Sequence, residues 1–125
     1  MARLKEIVID ADHRAALARF WEQIVEGYQV RAYDEAEIAR LAGLGLTPET
    51  DPVVMLDGPG PVICFHQRTG PRPYRNRLHL DLYAADRPAE VARLVALGAS
   101  VRRMEADYTV LVDREGNSFC ITDRP

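Results

Sequence analysis

The sequence is poor in the residue types that mark several large protein classes. It has only two cysteines in 125 residues, too few for the disulfide framework of a small secreted domain. Basic residues do not exceed acidic ones, since 16 Lys and Arg stand against 19 Asp and Glu and give a net charge of −3. Because nucleic-acid binding depends on a positively charged face, this balance argues against a DNA or RNA partner.

Long hydrophobic runs are also missing. No apolar stretch approaches the roughly 18 residues that suggest a membrane-spanning helix, and residues 1–6 contain no apolar signal segment. We therefore expect a cytoplasmic protein without a membrane partner, in which Cys64 and Cys120 are reduced thiols. The remaining composition, 47% hydrophobic and 28% charged, suits one domain over residues 1–125 with its own core.

The first third of the chain predicts a strand followed by an amphipathic helix. Residues 6–10 form an apolar run typical of a buried strand, and Asp12 is a candidate helix cap. Over 12–26, apolar residues recur every three or four positions, which predicts a helix ended near Gly27. The face expected to be buried contains Leu17, Phe20, Trp21 and Ile24.

The rest of the first half predicts strands around an irregular segment. A strand is predicted over 29–33, and 53–56 with 62–67 form a hairpin. Between them, 34–52 has only one or two helical turns and is expected to be a surface excursion. We expect a plain connection, with a lid or the cover of an edge as alternatives. A segment broken by glycine and proline, 68–77, is the natural linker. We expect its four arginines to be solvated, and binding of an anionic ligand or partner is the alternative.

The second half repeats this order. Residues 78–83 alternate as a strand with leucines on one face and His79 and Asp81 on the other. A helix over 88–97 follows, capped by Asp86 and closed by Gly98, with an inner stripe of Val91, Leu94 and Val95. The last three strands are predicted over 99–104, 108–112 and 118–122.

The two halves therefore form an internal repeat of the order βαβββ. Both helices begin near an aspartate, and in both closing hairpins a cysteine, Cys64 or Cys120, lies seven residues after the aspartate of an Asp-x-x-Gly turn. The repeat predicts an α+β fold with module one at about 1–67, the linker at 68–77 and module two at about 78–125. Since neither module can bury its sheet alone, we expect a cupped mixed sheet with helices on its outer face.

Several motifs spread over nearly the whole chain carry a family resemblance. They are Asp10-Ala11-Asp12 with Leu17-Ala18-Arg19-Phe20-Trp21, then Asn76-Arg77-Leu78-His79-Leu80-Asp81-Leu82, Ala96-Leu97-Gly98-Ala99, and Asp113-x-Glu115-Gly116-Asn117-x-Phe119-Cys120. Together they resemble the glyoxalase-like domains of the vicinal oxygen chelate superfamily, which includes glyoxalase I, extradiol dioxygenases and bleomycin-binding proteins. The resemblance also implies a homodimer.

Metal enzymes of this superfamily hold a divalent ion with His, Gln or Glu on the first and last strands of each module. His79 resembles the first-strand histidine of module two, and its counterpart in module one is Lys5 or Val8. The two glutamate positions are occupied by Cys64 and Cys120. We therefore expect no stoichiometric metal and no other cofactor. Zinc bound by Cys64, His66, His79 and Cys120 is the alternative, because thiolate and imidazole suit it.

The resemblance implies a small-molecule ligand but does not name it. The first hypothesis is a lyase, isomerase or oxygenase in whose central cup His79 acts as a general base oriented by Asp81. His66, Cys64 and Cys120 would then contact the ligand, although His79 can also be a hydrogen-bonded structural histidine. The alternative hypothesis is a metal-free protein that sequesters a drug or metabolite, as the bleomycin-binding relatives do.

Overall fold

The computed structural model describes residues 1, 4–72 and 78–125. Within them the chain divides into two compact units, Met1–Pro71 and Arg72–Pro125. Each unit has a four-stranded mixed sheet with helix packed against it, which confirms the predicted α+β fold of two βαβββ modules. No helix among the described residues is both long and apolar enough to cross a lipid bilayer.

The first unit contains four strands and two helices. They are β1 (Glu6–Ala11), α1 (Arg14–Glu22), β2 (Gln29–Val30), α2 (Glu35–Gly43), β3 (Val53–Asp57) and β4 (Val62–Gln67). The sheet order is β1-β4-β3-β2, in which β1 runs parallel to β4 and the other neighbours are antiparallel. Helix α1 packs on β3 and β4 through the predicted apolar face. Its buried side chains include Leu17, Phe20 and Trp21, which are at most 2% exposed.

Helix α1 is shorter than the sequence predicted, and its cap is not Asp12. The helix begins at Arg14 after His13, whose side chain makes no capping hydrogen bond. The carboxylate of Asp12 instead forms an ion pair with Arg68, and this hydrogen bond lowers the pKa of Asp12. After the helix ends, the amides of Ile24 and Val25 both donate to the carbonyl of Trp21, so the chain continues as turns rather than as regular helix.

The excursion over 34–52 is more regular than predicted. It contains the nine-residue helix α2, whose N-cap is Asp34, because that carboxylate accepts from the amide of Glu37. Leu41 is the buried residue of this helix. The preceding strand is shorter than the predicted 29–33: only two residues of β2 pair with β3, although the amide of Arg31 still donates to the carbonyl of Met55.

The second unit contains four strands and one helix. They are β5 (Leu80–Tyr83), α3 (Arg87–Leu97), β6 (Ser100–Met104), β7 (Tyr108–Val112) and β8 (Ser118–Thr122). The sheet order is β5-β8-β7-β6, with β5 parallel to β8, so the topology of the first unit is repeated. The predicted ends of α3 are confirmed: Asp86 accepts from the amide of Ala89, and Gly98 has a φ of 116°.

Two predictions about this unit need correction. The first strand was expected from residue 78, but the ladder starts at Leu80 and Leu78 is 82% exposed. Only Leu94 of the predicted inner stripe is fully buried, whereas Val91 is half-buried and Val95 is exposed. Leu94 is the residue through which this helix contacts its sheet most closely. Val91 and Val95 lie to either side of that contact and are therefore partly or fully accessible to solvent.

The linker arginines are not simply solvated. The guanidinium of Arg68 is 18% exposed and pairs with Asp12. Arg72 donates through Nε to the carbonyl of Glu115 at 3.2 Å and also contacts the carbonyl of Gly116. These two side chains therefore support turns of their own units. Arg75 and Arg77 lie outside the described residues.

Candidate functional site

The sheet of the second unit brings three predicted site residues together. In the parallel register of β5 and β8, Asp81 lies opposite Cys120, and Leu80 lies opposite the fully buried Phe119. Because side chains alternate along a strand, Asp81 and Cys120 share the face away from Phe119. His79 comes immediately before the ladder of β5. The prediction that 78–83 and 118–122 belong to one sheet is confirmed for the paired residues.

The three side chains form a compact cluster. Nε2 of His79 lies 3.3 Å from Oδ1 of Asp81, and the ligand atoms of His79, Asp81 and Cys120 lie within 4.8 Å of one another. The imidazole and the carboxylate are 55% and 67% exposed, whereas Cys120 is 8% exposed. The cluster therefore offers two accessible polar groups above a buried thiol. We call it the His79–Asp81–Cys120 cluster.

The thiol of this cluster is held in its neutral form. Burial raises the pKa of Cys120, and the charge of Asp81 and a hydrogen bond to its carboxylate raise it further. A reactive cysteine requires the opposite environment, one that stabilises the thiolate. Cys120 is therefore a hydrogen-bond donor to Asp81 rather than a nucleophile. Both cysteines of the chain are free, as predicted.

The first unit has a related but different arrangement. There the parallel register places Val8 opposite Cys64, so Val8 is the counterpart of Asp81. Two residues earlier, Glu6 is the counterpart of His79, which corrects the expected Lys5 or Val8. The strand register is the better guide, because counting back from the helix start assumed that Asp12 began α1. Burial raises the pKa of Cys64, and the charge of Glu6 adds to this effect.

The other predicted ligand-contacting residues lie on β4 of the first unit. Cys64 is completely buried, and His66 is exposed and pairs in register with Asp10. These two residues remain predictions for a ligand site. The chemically distinctive group in the first unit is one that the sequence did not single out, the pair of Tyr33 and Asp51.

Tyr33 and Asp51 sit beside a cavity of about 730 Å³. The hydroxyl of Tyr33 donates to Oδ2 of Asp51 at 2.8 Å, and Asp51 is only 6% exposed. Burial and this carboxylate raise the pKa of the Tyr33 phenol. The cavity lies between the chain after β2, helix α2 and strand β3. No sequence spacing signals this site, because its walls come together only when the excursion folds back on the sheet.

The fold family implies a divalent ion, and the donor chemistry can be tested against it. An ion such as Mg²⁺ or Mn²⁺ prefers oxygen ligands, but the two glutamate positions are protonated thiols with raised pKa values, Cys64 and Cys120. Within the second unit, the donor set of His79, Asp81 and Cys120 therefore fits such an ion poorly, because one carboxylate is its only oxygen donor. Zn²⁺ accepts thiolate, imidazole and carboxylate, so zinc is the cation for which His79, Asp81 and Cys120 supply suitable atoms.

The surroundings of the cluster lack the usual support of a zinc site. A metal-bound histidine normally donates its second N–H to another group that orients the ring. Among the described residues, the one ion-pair partner of His79 is Asp81, which is itself a member of the cluster. The carboxylate also accepts the hydrogen bond of the thiol, whose proton a metal would have to displace. Within the cluster, Asp81 is therefore the partner of both the imidazole and the thiol.

Comparisons with known proteins agree with this geometry. The family model described as "Glyoxalase-like domain" matches residues 6–122. The sequence matches none of the curated proteins. Solved structures share the fold at identities that carry no information on substrate.

One of these structures is a glyoxalase/bleomycin resistance protein/dioxygenase family enzyme from Burkholderia phytofirmans PsJN, with 18% identity, a TM-score of 0.66 and coverage of 96% of this chain and 97% of that chain. The fosfomycin resistance protein FosX from Mesorhizobium loti has 12% identity, a TM-score of 0.70 and coverage of 100% and 94%. The lactoylglutathione lyase from Agrobacterium tumefaciens has 14% identity, a TM-score of 0.60 and coverage of 98% and 93%. With its two βαβββ modules and a family match over almost its full length, the chain belongs to the glyoxalase-like domain family of the vicinal oxygen chelate superfamily.

Proposed function

We propose that this protein is a glyoxalase-like enzyme that moves a proton on a small organic substrate, using His79 as the general base. The observation that carries the proposal is the contact of an exposed imidazole with the carboxylate of Asp81 at 3.3 Å. A histidine oriented by a carboxylate is the commonest arrangement for proton transfer near neutral pH. The names of the similar structures, which include a lyase and a resistance protein, support small organic substrates for this fold.

The geometry assigns each side chain a role in that reaction. The proton on Nε2 of His79 points to Asp81, which leaves Nδ1 as the nitrogen that accepts a proton from substrate. A C–H next to a carbonyl would give its proton to Nδ1, and its electron pair would pass to the carbonyl oxygen. In an isomerisation of an α-hydroxy ketone, the imidazolium then returns the proton to the former carbonyl carbon, while the hydroxyl proton passes to the former carbonyl oxygen. In an elimination, the carbonyl re-forms as the bond to a leaving group on the β carbon breaks, and the imidazolium gives its proton to that leaving group. Asp81 stabilises the imidazolium that forms when His79 accepts the proton.

This reaction needs no resident metal. If Zn²⁺ were bound by His79, Asp81 and Cys120, it would supply polarisation of a substrate oxygen. Binding it would also consume the lone pair and the carboxylate on which the proposed base depends. The two modes of action therefore predict different responses to chelators.

A second candidate function is sequestration of a small molecule, and the cavity of the first unit favours it. Ligand pockets in proteins enclose about 300–1,000 Å³ and combine apolar walls with a few polar groups. The cavity between α2 and β3 has that size and that composition. A binding protein needs this cavity but has no need of a carboxylate-oriented histidine.

The test of the proposed reaction does not require the natural substrate. A panel of α-hydroxy ketones and thioesters is incubated with the protein in D₂O and excess EDTA, and proton NMR follows deuterium entry next to the carbonyl. We expect exchange with at least one member, and a loss of about 100-fold or more in His79→Gln. Asp81→Asn should slow exchange as well.

The matched control is His13→Gln, which changes another histidine, at the N-cap of α1. It should exchange substrate protons at the rate of the unchanged protein. The proposal is wrong if no member of the panel exchanges faster than in buffer, or if exchange survives His79→Gln.

A further inference from the structure

We infer that the cavity between α2 and β3 is a binding site for an uncharged, largely apolar small molecule that carries one O–H or N–H donor. The inference rests on the second candidate function and names the class of ligand. All residues that line the cavity lie in the first unit, between positions 31 and 55. Three features of the cavity point to such a ligand: its apolar walls, its paired arginines and the acceptor oxygen of Tyr33.

The walls of the cavity are apolar on two sides. Helix α2 and the turn after it contribute one side, and strand β3 contributes the other. The apolar lining residues used in this argument are Leu41, Leu44, Leu46, Val53 and Met55. Leu41 is fully buried, whereas Leu44 is 64% exposed. Exposed leucine beside a cavity offers apolar contact area that a ligand can cover.

Both arginines that line the cavity are paired with carboxylates, whereas the lining carboxylates of Asp34 and Asp51 accept hydrogen bonds from backbone amides. Arg31 forms a bidentate pair with Asp57, with bonds of 2.8 and 2.7 Å. Arg40 pairs with Glu37 at 2.6 Å within the same helix. The guanidinium and carboxylate of each pair neutralise each other. A charged ligand would have to displace one partner, whereas an uncharged ligand leaves both pairs intact.

The hydroxyl oxygen of Tyr33 offers a ligand a hydrogen-bond acceptor. The hydroxyl of Tyr33 donates its proton to Asp51, so the lone pairs of its oxygen can only accept a further hydrogen bond. Each carboxylate oxygen of Asp51 already accepts one hydrogen bond, Oδ1 from the amide of Val53 at 3.0 Å and Oδ2 from Tyr33, and the residue is buried. A ligand with an O–H or N–H group can therefore donate to the Tyr33 oxygen.

The cavity depends on a segment that the repeat does not share. The first module inserts α2 between its second and third strands, but in the second module β6 is followed directly by β7. The insertion therefore builds the pocket of the first module from a helix that has no counterpart among the described residues of the second. This asymmetry is unnecessary for the fold of the module, since the second sheet forms without it.

The experiment compares three probes of the same ring system in calorimetric or fluorescence titrations of the full chain. 2-Naphthol is neutral with a donor, naphthalene is neutral without one, and 2-naphthoate is an anion. We expect saturable binding that is strongest for 2-naphthol and weakest for 2-naphthoate. Binding of 2-naphthoate more tightly than 2-naphthol, or no saturable binding of 2-naphthol, would overturn the inference.

Two variants test whether the probe binds in this cavity. Leu44→Asp puts a charge beside the cavity at an exposed position and should lower the affinity for 2-naphthol by about tenfold or more. Ile38→Asp is the matched control, since Ile38 is also an exposed apolar residue of α2 but does not line the cavity. It should change the affinity by less than about twofold. Equal effects of the two variants would show that the probe binds elsewhere and would refute the assignment.

A third variant tests the acceptor. Tyr33→Phe should lower the affinity for 2-naphthol more than the affinity for naphthalene, because only 2-naphthol can donate a hydrogen bond to the Tyr33 oxygen. An equal loss for both probes would contradict that step. These readouts do not involve His79, so failure of the deuterium exchange and failure of the cavity assignment are separate results.

Discussion

Asp81 has two partners, and its effect on Cys120 can be measured directly. Its carboxylate contacts the imidazole of His79 and raises the pKa of the buried thiol. Asp81→Asn removes the negative charge, so we expect the pKa of Cys120 to fall and its thiolate to form at lower pH. The rate of alkylation by iodoacetamide as a function of pH, read for each cysteine by mass spectrometry, measures this change.

Cys64 is the internal control for that experiment. Its pKa is raised by burial and by Glu6, and Asp81 does not contribute to the shift. The pH dependence of the Cys64 alkylation rate should therefore be the same in Asp81→Asn as in the unchanged protein. If the Cys120 profile also stays in place, Asp81 does not control the thiol and the cluster is not electrostatically coupled.

At the scale of single elements, two helix-end glycines should respond in opposite ways to the same substitution. Gly98 closes α3 with a φ of 116°, and an added Cβ would lie 3.2 Å from side-chain carbons of Arg114. Gly98→Ala should therefore lower the free energy of unfolding by about 1 kcal/mol or more. Urea denaturation at constant pH measures the loss.

Gly43 is the matched control at the end of α2. It is helical, and a Cβ added there would meet no atom within 4 Å. Gly43→Ala should raise the free energy of unfolding by about 0.5 kcal/mol, because alanine favours the helix and restricts the unfolded chain. The same sign for both substitutions would mean that backbone conformation does not decide their effect.

The elements also show what the sequence can predict and where it fails. Hydrophobic period and capping residues predicted the order of strands and helices, and local signals set the ends of α3 at Asp86 and Gly98. The start of α1 was wrong, since Asp12 is paired with Arg68 across a large sequence distance. Helix α2 was underestimated, because much of its support comes from tertiary packing of Leu41.

The same distinction holds for the candidate site. Alternation along the strands placed Asp81 and Cys120 on one face before any coordinates were known. It did not show that His79 contacts Asp81, because His79 precedes the ladder and its side chain is not fixed by alternation. The pair of Tyr33 and Asp51 has no local signal, since the two residues meet only when the excursion folds back.

At the scale of the whole molecule, we predict a homodimer. Strand β6 ends its sheet, and all five of its residues are exposed, including Val101 and Met104. Open sheet edges with apolar residues are commonly covered by a second chain. Light scattering at micromolar protein should give twice the 14.0 kDa chain mass. A mass of one chain would refute the prediction.

We propose that the protein's own side chains, without a resident metal, carry the chemistry of the His79–Asp81–Cys120 cluster. The most direct test is elemental analysis of protein purified without added metal, then exposed to Zn²⁺ and dialysed. We predict well below one equivalent of any divalent metal before and after exposure, because the carboxylate and the protonated thiol satisfy each other. Retention of about one equivalent of zinc that disappears in Cys120→Ala would contradict the claim and establish a zinc site in its place.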